Sequence, residues 1–136
     1  MNASLTKASA GELKPRKPLC LDQYSTVADA IRCMRNNQSG CVLITESDHL
    51  VGMVTERDIL KELISKNISS DKTYLKNLMS RDPDYLFEED SAAFALNMMS
   101  VGGYRNITVL NMNGIPSGIL AIEDILDHII EKMNFK

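Results

Sequence analysis

The sequence predicts an α+β fold made of two tandem copies of one unit, each running strand, helix, strand, strand, helix. Three observations carry that prediction. A nine-residue phrase, Gly52-Met53-Val54-Thr55-Glu56-Arg57-Asp58-Ile59-Leu60, recurs at an offset of 66 as Gly118-Ile119-Leu120-Ala121-Ile122-Glu123-Asp124-Ile125-Leu126. An apolar helical face recurs too, Ala30, Ile31 and Met34 being answered at an offset of 65 by Ala95, Leu96 and Met99. Finally, a chain of 136 residues holds two such units, and a unit of about 60 residues buries too little apolar surface to be comfortable alone.

Residues 1–12 are small and polar with little periodicity, which predicts a loose tail with some helical turn. Lys14-Pro15-Arg16-Lys17-Pro18 reads as a stiff, extended lead-in. Leu19-Cys20-Leu21 is a short strand candidate. Ser25 or Thr26 is placed to cap a helix that carries Asp29 in its first turn, and Asn36 to Gly40 ends that helix. Cys41 to Ile44 and Leu50 to Val54 read as two strands joined by the polar turn Glu46 to His49, and Thr55 caps the next helix, with Ile59, Leu60, Leu63 and Ile64 as its apolar stripe.

After a polar linker the order repeats. Leu75 to Met79 is a helical turn and Tyr85-Leu86-Phe87 a strand. Ser91 to Ser100 is a helix broken by Gly102-Gly103. Ile107 to Leu110 and Ile119-Leu120 are strands about the turn Asn111 to Gly114, and a final helix carries Ile122, Ile125, Leu126, Ile129, Ile130 and Met133. The predicted organisation is a tail over 1–12, a first repeat over 13–66, a linker over 67–73 and a second repeat over 74–136. Helix faces offset by 65 and phrases by 66 place one extra residue in the second helix-to-strand loop. Each hairpin is expected to be antiparallel, with helices covering one face of its sheet.

Composition excludes several classes of function. A net charge of −3, the absence of a Lys/Arg cluster and 5% aromatic residues leave nothing to draw or stack nucleic acid. No apolar run reaches the length that spans a bilayer, and the N-terminus lacks a signal-peptide stretch, so a cytoplasmic protein is expected. Cys20, Cys33 and Cys41 are odd in number with no C-x-x-C pair, and His49 and His128 stand far apart, so reduced thiols and no metal site are expected. No nucleophile–base pair has recognisable spacing, which argues against an enzyme.

The repeated phrase resembles the Gly-h-x-Thr/Ser-x-x-Asp motif (h apolar) of the CBS-domain pair, or Bateman module. Gly52 to Asp58 matches it fully, and Gly118 to Asp124 matches except at Ala121. The resemblance covers roughly residues 13–134. It implies two repeats related by a pseudo-two-fold axis, a flat, disc-like homodimer, and clefts that bind adenosine-containing ligands such as AMP, ADP, ATP or S-adenosylmethionine, with NAD as a further candidate. In the family each cleft takes ribose and phosphate contacts from one repeat and adenine contacts from strands of the other. Carried over, one site uses Thr55, Arg57 and Asp58 with Met53 beside them, and adenine near Tyr85, Ile107 and Val109. The other uses Asp124 with Ile119 beside it, and adenine near Leu21, Cys41 and Leu43. Arg105 stands where many members carry a basic residue, its first-repeat counterpart being taken as Ser39, and so becomes a phosphate candidate on the Asp124 side.

The physical chemistry of these residues suits such a role. A carboxylate at a helix start can accept ribose hydroxyl hydrogens, and a hydroxyl at an N-cap with free N–H groups behind it can seat a phosphate. The same Thr and Asp also form a capping box, which alone could account for them. Glu123, where the first copy has Arg57, would repel phosphate if it faced the ligand. The leading expectation is a nucleotide-binding regulatory module that acts on an unidentified partner protein or as a free-standing sensor. The alternatives are a dimeric interaction scaffold with degenerate nucleotide sites, and a redox protein using a cysteine of low pKa.

Overall fold

A computed structural model describes residues 7–133 and divides the chain into two compact units. One holds Pro18–Pro83. The other combines 84–133 with the described lead-in, 7–17.

In the first unit, β1 (Cys20–Asp22) runs parallel to β2 (Cys41–Glu46), and β2 pairs antiparallel with β3 (His49–Thr55), which pairs antiparallel with β4 (Ser80–Arg81). Helices α1 (Val27–Asn37) and α2 (Glu56–Lys66) pack on the sheet over a core of Val27, Ala30, Met34, Val42, Ile44, Val54, Ile59, Leu75 and Met79. Ser47 and Asp48 turn the β2–β3 hairpin through left-handed backbone, with φ of 49° and 69°.

In the second unit, β5 (Tyr85–Phe87) is parallel to β6 (Asn106–Leu110), which is antiparallel to β7 (Pro116–Ala121). Helices α3 (Ala92–Gly102) and α4 (Ile122–Lys132) complete it, with Leu86, Ala95, Met99, Ile107, Val109, Leu120 and Ile125 inside. Gly103 caps α3 with φ 72°, the left-handed conformation for which glycine carries no penalty.

The lead-in differs from the expectation of a loose tail. Ala8, Ala10 and Leu13 are buried in the second unit's core, Ala10–Leu13 forms a 3₁₀ turn capped by Ser9, and Arg16 bridges antiparallel to Ile119. Residues 1–6 lie outside the described residues. The first unit is completed in the same way from beyond its own repeat. The 3₁₀ turn Leu75–Asn77 buries Leu75, and β4 pairs with β3. The bridges Ser9↔Ser91 and Tyr74↔Thr26 occupy corresponding places. Each repeat's lead-in is therefore built into the unit that contains the other repeat's hairpin. The repeats expected at 13–66 and 74–136 are stretches of sequence, and the compact units, bounded at Lys17/Pro18 and Pro83/Asp84, divide the chain at different points. The linker 67–73 belongs to the first unit: the Val27 and Ala28 amides donate to the Thr73 and Ser70 carbonyls, and Ile68 packs on the core.

This arrangement explains the phrase's glycine. A Cβ on Gly52 would meet Met79 Sδ at 2.5 Å and the Ser80 carbonyl oxygen at 2.9 Å, and one on Gly118 would meet Pro15 Cβ at 2.7 Å. Each glycine admits the incoming lead-in against the strand.

The extra residue also sits elsewhere than predicted. Cys41 pairs with Thr55 and Asn106 with Ala121, so β2 and β6 keep the offset of 65 seen in the helices. Beyond the hairpin, Leu50 pairs with Thr45 and Pro116 with Leu110. The insertion is therefore in the β6–β7 turn.

Candidate functional site

The Thr55 motif lies where β3 passes into α2. Thr55 is extended (φ −111°, ψ 164°) and caps the helix: its Oγ1 accepts from the Asp58 N–H at 3.2 Å, while Asp58 Oδ2 accepts from the Thr55 N–H at 3.0 Å. The start of β2 is fastened alongside, the Glu56 N–H donating to the Gly40 carbonyl at 3.0 Å. Among the described residues Asp58 Oδ1 accepts no hydrogen bond, and Arg57 is exposed and enters no ion pair.

A capping box alone does not distinguish this site, because α1 begins with the same device. Thr26 Oγ1 accepts from the Asp29 N–H at 3.2 Å, and Asp29 Oδ2 accepts from the Thr26 N–H at 2.9 Å. At Asp29 the second oxygen is taken as well, by Arg32 Nη2 at 2.7 Å. The Thr26 backbone bond first, and then Arg32, hold the Asp29 carboxyl below the usual carboxylate range. Asp58 keeps its second oxygen for something else.

The second motif keeps half of this arrangement. Asp124 Oδ2 accepts from the Ala121 N–H at 3.0 Å, but Ala121 has no oxygen to return the bond, so the cap lacks a side-chain acceptor. Arg105 is not free. Its Nη2 donates to Glu123 Oε1 at 3.0 Å, with both side chains more than half exposed. Glu123's own backbone N–H, and then this hydrogen bond and the charges of Arg105 and Arg16, pull the Glu123 carboxyl below its ordinary range. The Ile122 N–H donates to the Arg105 carbonyl at 2.8 Å, just as Glu56 does to Gly40. Gly40, not Ser39, is therefore the first-repeat counterpart of Arg105. Arg16, bridged to Ile119, is a basic residue beside this motif that the sequence reading treats only as part of a linker. At the same offset of 65, its counterpart Arg81 pairs with Gly52.

The strand residues divide by face. Val42, Ile44 and Val54 point under the helices, so Cys41, Leu43 and Met53 occupy the opposite face, where Leu43 pairs with Met53 and Cys41 with Thr55. In the second unit Ile107, Val109 and Leu120 point under the helices, and Tyr85, Thr108 and Ile119 share the opposite face, Thr108 pairing with both neighbours. Ile107 and Val109 are thus committed to their own unit's core, at 3% and 0% exposure. Leu21, opposite Ile44 in register, also packs on the core. These three expected adenine contacts are on the helix-covered side. The cause for β6 is the offset: with 65 rather than 66, Cys41 and Leu43 correspond to Asn106 and Thr108, and a slip of one residue exchanges the faces of a strand.

The thiols are unpaired. Burial, and then the Asp58 charge, push the Cys41 thiol up to about 11, and burial first raises Cys20 as well. That is opposite to the direction a nucleophilic cysteine requires. Among the described residues no group of three His, Cys, Asp or Glu side chains could hold a metal ion, and no helix is long and apolar enough to cross a membrane. A groove of about 420 Å³ lies between α1 and α2, floored by Ile31, Met34, Ile59, Leu60 and Leu63.

The sequence profile of the family described as CBS domain matches residues 10–65 and again 75–131. This chain belongs to the CBS-domain family. The CBS pair is 31% identical over 123 residues to the CBS domain-containing protein CBSCBSPB2 of Arabidopsis thaliana, covering 90% of this chain and 23% of that protein. It thus spans about a quarter of that relative's length. Among solved structures it resembles the CBS domain protein PAE2072 from Pyrobaculum aerophilum complexed with AMP, with a TM-score of 0.76 and 23% identity over 93% of this chain and 99% of that one. It also resembles the CBS domain pair of MJ0100, solved in complex with 5′-methylthioadenosine and S-adenosyl-L-methionine, with a TM-score of 0.74 and 20% identity over 92% and 98% of the two chains.

Proposed function

We propose that this CBS pair is a regulatory module that binds an adenosine-containing ligand and reports it through a change in shape or assembly, read by a partner protein. The observation that carries the proposal is the unshared Oδ1 of Asp58 at a helix start that also presents the Thr55 hydroxyl and the unpaired Arg57. The carboxylate accepts from ribose hydroxyls, while the Thr55 hydroxyl and the Arg57 guanidinium meet phosphate. AMP, ADP or ATP is the ligand proposed for this motif, with NAD and S-adenosylmethionine as further members of the class. Adenine is proposed to rest on a sheet face turned away from the helices, against the partly exposed Cys41 and Met53 of one unit or Tyr85 and Ile119 of the other, Leu43 and Thr108 on the same faces being buried. The likeness to AMP-bound PAE2072 supports the ligand class.

Two features bear on the wider setting. Both units expose the same apolar pair on their last helix, Leu60 with Ile64 and Leu126 with Ile130, which suits a homodimer. Three unpaired thiols suit a reducing compartment such as the cytoplasm. The module is proposed to act by binding rather than by catalysis. The scaffold reading, with nucleotide sites lost, is favoured only by the Ala121 motif, whose hydroxyl is missing and whose Arg105 is engaged by Glu123.

Isothermal titration of the full chain with AMP, ADP, ATP, NAD and S-adenosylmethionine tests the proposal. Asp58→Ala is expected to weaken nucleotide binding by about tenfold or more, since hydrogen bonds to a charged group are lost. No heat from any of these compounds at millimolar concentration, or equal binding by wild type, Asp58→Ala and Asp124→Ala, would remove nucleotide recognition from the account.

A further inference from the structure

We infer that the homodimer proposed above, on whose existence this step rests, joins unlike units: α2 of one copy docks on α4 of the other, and neither helix docks on its own counterpart.

At the offset of 66, α2 and α4 repeat one exposed apolar pair, Leu60 with Ile64 and Leu126 with Ile130, while the charges beside that pair are inverted. Lys61 is exposed and enters no ion pair among the described residues; its counterpart Asp127 is exposed and enters none either. One turn earlier Arg57 is answered by Glu123, and one turn later Ser65 is answered by Glu131. Positions three and four apart share a helix face, so each apolar pair lies beside these charges. The inversion extends to the helical layers. Helices α1 and α2 carry five basic and four acidic residues, whereas α3 and α4 carry one basic and four acidic, all of them on α4.

A dimer of like units brings the cation of α2 toward the same cation of its copy, and the anions of α4 toward the same anions. A dimer of unlike units sets Lys61 toward Asp127, and two-fold symmetry makes that contact twice. A single surface ion pair adds little to stability, but the apolar pairs are buried in either arrangement, so the change from repulsion to attraction selects between them. Shape acts in the same direction. The first unit offers a recess, the groove of about 420 Å³ between α1 and α2. In the second unit α3 and α4 lie against one another, and Phe94 and Val101 stand exposed on α3, a helix without a charged residue. An apolar ridge fills a recess better than a second recess does.

Sedimentation equilibrium of the full chain tests this pairing in wild type, Lys61→Glu, Asp127→Lys and the double variant Lys61→Glu/Asp127→Lys, with circular dichroism to show that each is folded. Either single reversal sets like charges together at both contacts and is expected to raise the dimer dissociation constant about tenfold. The double variant restores opposite charges and is expected to return to within about threefold of wild type. An equal mixture of the two single variants is expected to do the same, because their heterodimer sets opposite charges together at both contacts. Wild-type association is expected to weaken as salt rises. Like-on-like packing leaves all four proteins alike, since each reversal exchanges one repulsion for another. Dissociation constants unmoved by both single reversals, or a double variant weaker than either single one, overturn the joining of unlike units while leaving a dimer. A wild type that stays monomeric removes the dimer itself, and this pairing with it.

Discussion

Thr55 and Ala121 occupy the same place in two copies of one phrase, and the difference between them is one hydroxyl with a measurable structural role. Thr55 Oγ1 satisfies the Asp58 N–H, and nothing equivalent satisfies the cap of α4. Thr55→Ala is therefore expected to lower the free energy of unfolding without ligand by about 1 kcal/mol, and Thr55→Ser to recover most of it, as read by urea denaturation. If Thr55→Ala loses nucleotide affinity but no stability, the hydroxyl serves the ligand alone and the cap is incidental. Residue identities at this scale were legible in the sequence: Thr55, Asp58 and the Ala121 departure all stand within the phrase. The engagement of Arg105 was not, because its partner Glu123 is 18 positions away and only the pairing of β6 with β7 brings the two together.

At the scale of the element, periodicity identified all four described α-helices, with caps expected at Ser25 or Thr26 and at Thr55 and a start near Ser91; the structure selects Thr26 and adds Ala121 as the N-cap of the last helix. Periodicity failed on β6, where an offset wrong by one residue moved Ile107 and Val109 to the wrong face. A continuous apolar run such as Ile107 to Leu110 has no alternation to reveal which side is covered. Short elements without periodicity, such as β4 and the Ala10–Leu13 turn, were also missed or only partly seen. Their importance shows in the glycines they press against. Gly52→Ala and Gly118→Ala are each expected to cost about 1–3 kcal/mol, because the added methyl must displace a lead-in segment. Hydrogen exchange should locate the damage: Gly118→Ala should speed exchange of the Arg16 amide, which donates to Ile119 at 2.9 Å, and Gly52→Ala that of Asp82, which donates to Val51 at 3.3 Å. Variants as stable as wild type, within the spread of ordinary surface substitutions, would show that the lead-in yields without loss, contrary to the close packing of these strands.

At the scale of the whole molecule, the duplication extends to what each unit leaves uncovered. Leu60 and Ile64 are 57% and 82% exposed, and Leu126 and Ile130 are each 47% exposed. Burying these pairs against a second copy is the proposed assembly, so sedimentation equilibrium should find a dimer in wild type and a monomer in Ile64→Glu/Ile130→Glu, with unchanged circular dichroism. A wild-type monomer at the concentrations where nucleotide binds would remove assembly from the proposed regulation. The sequence by itself determined the duplication, the α+β class, the described helices and the chemical asymmetry of the two motifs, because each is written in local spacing or in residue identity. Only the tertiary structure decided that the lead-in of each repeat completes the opposite unit, that Arg105 is held by Glu123, and which side of β6 is covered. Those outcomes depend on contacts between residues distant in the chain, where packing and strand register, rather than local preference, select the partner.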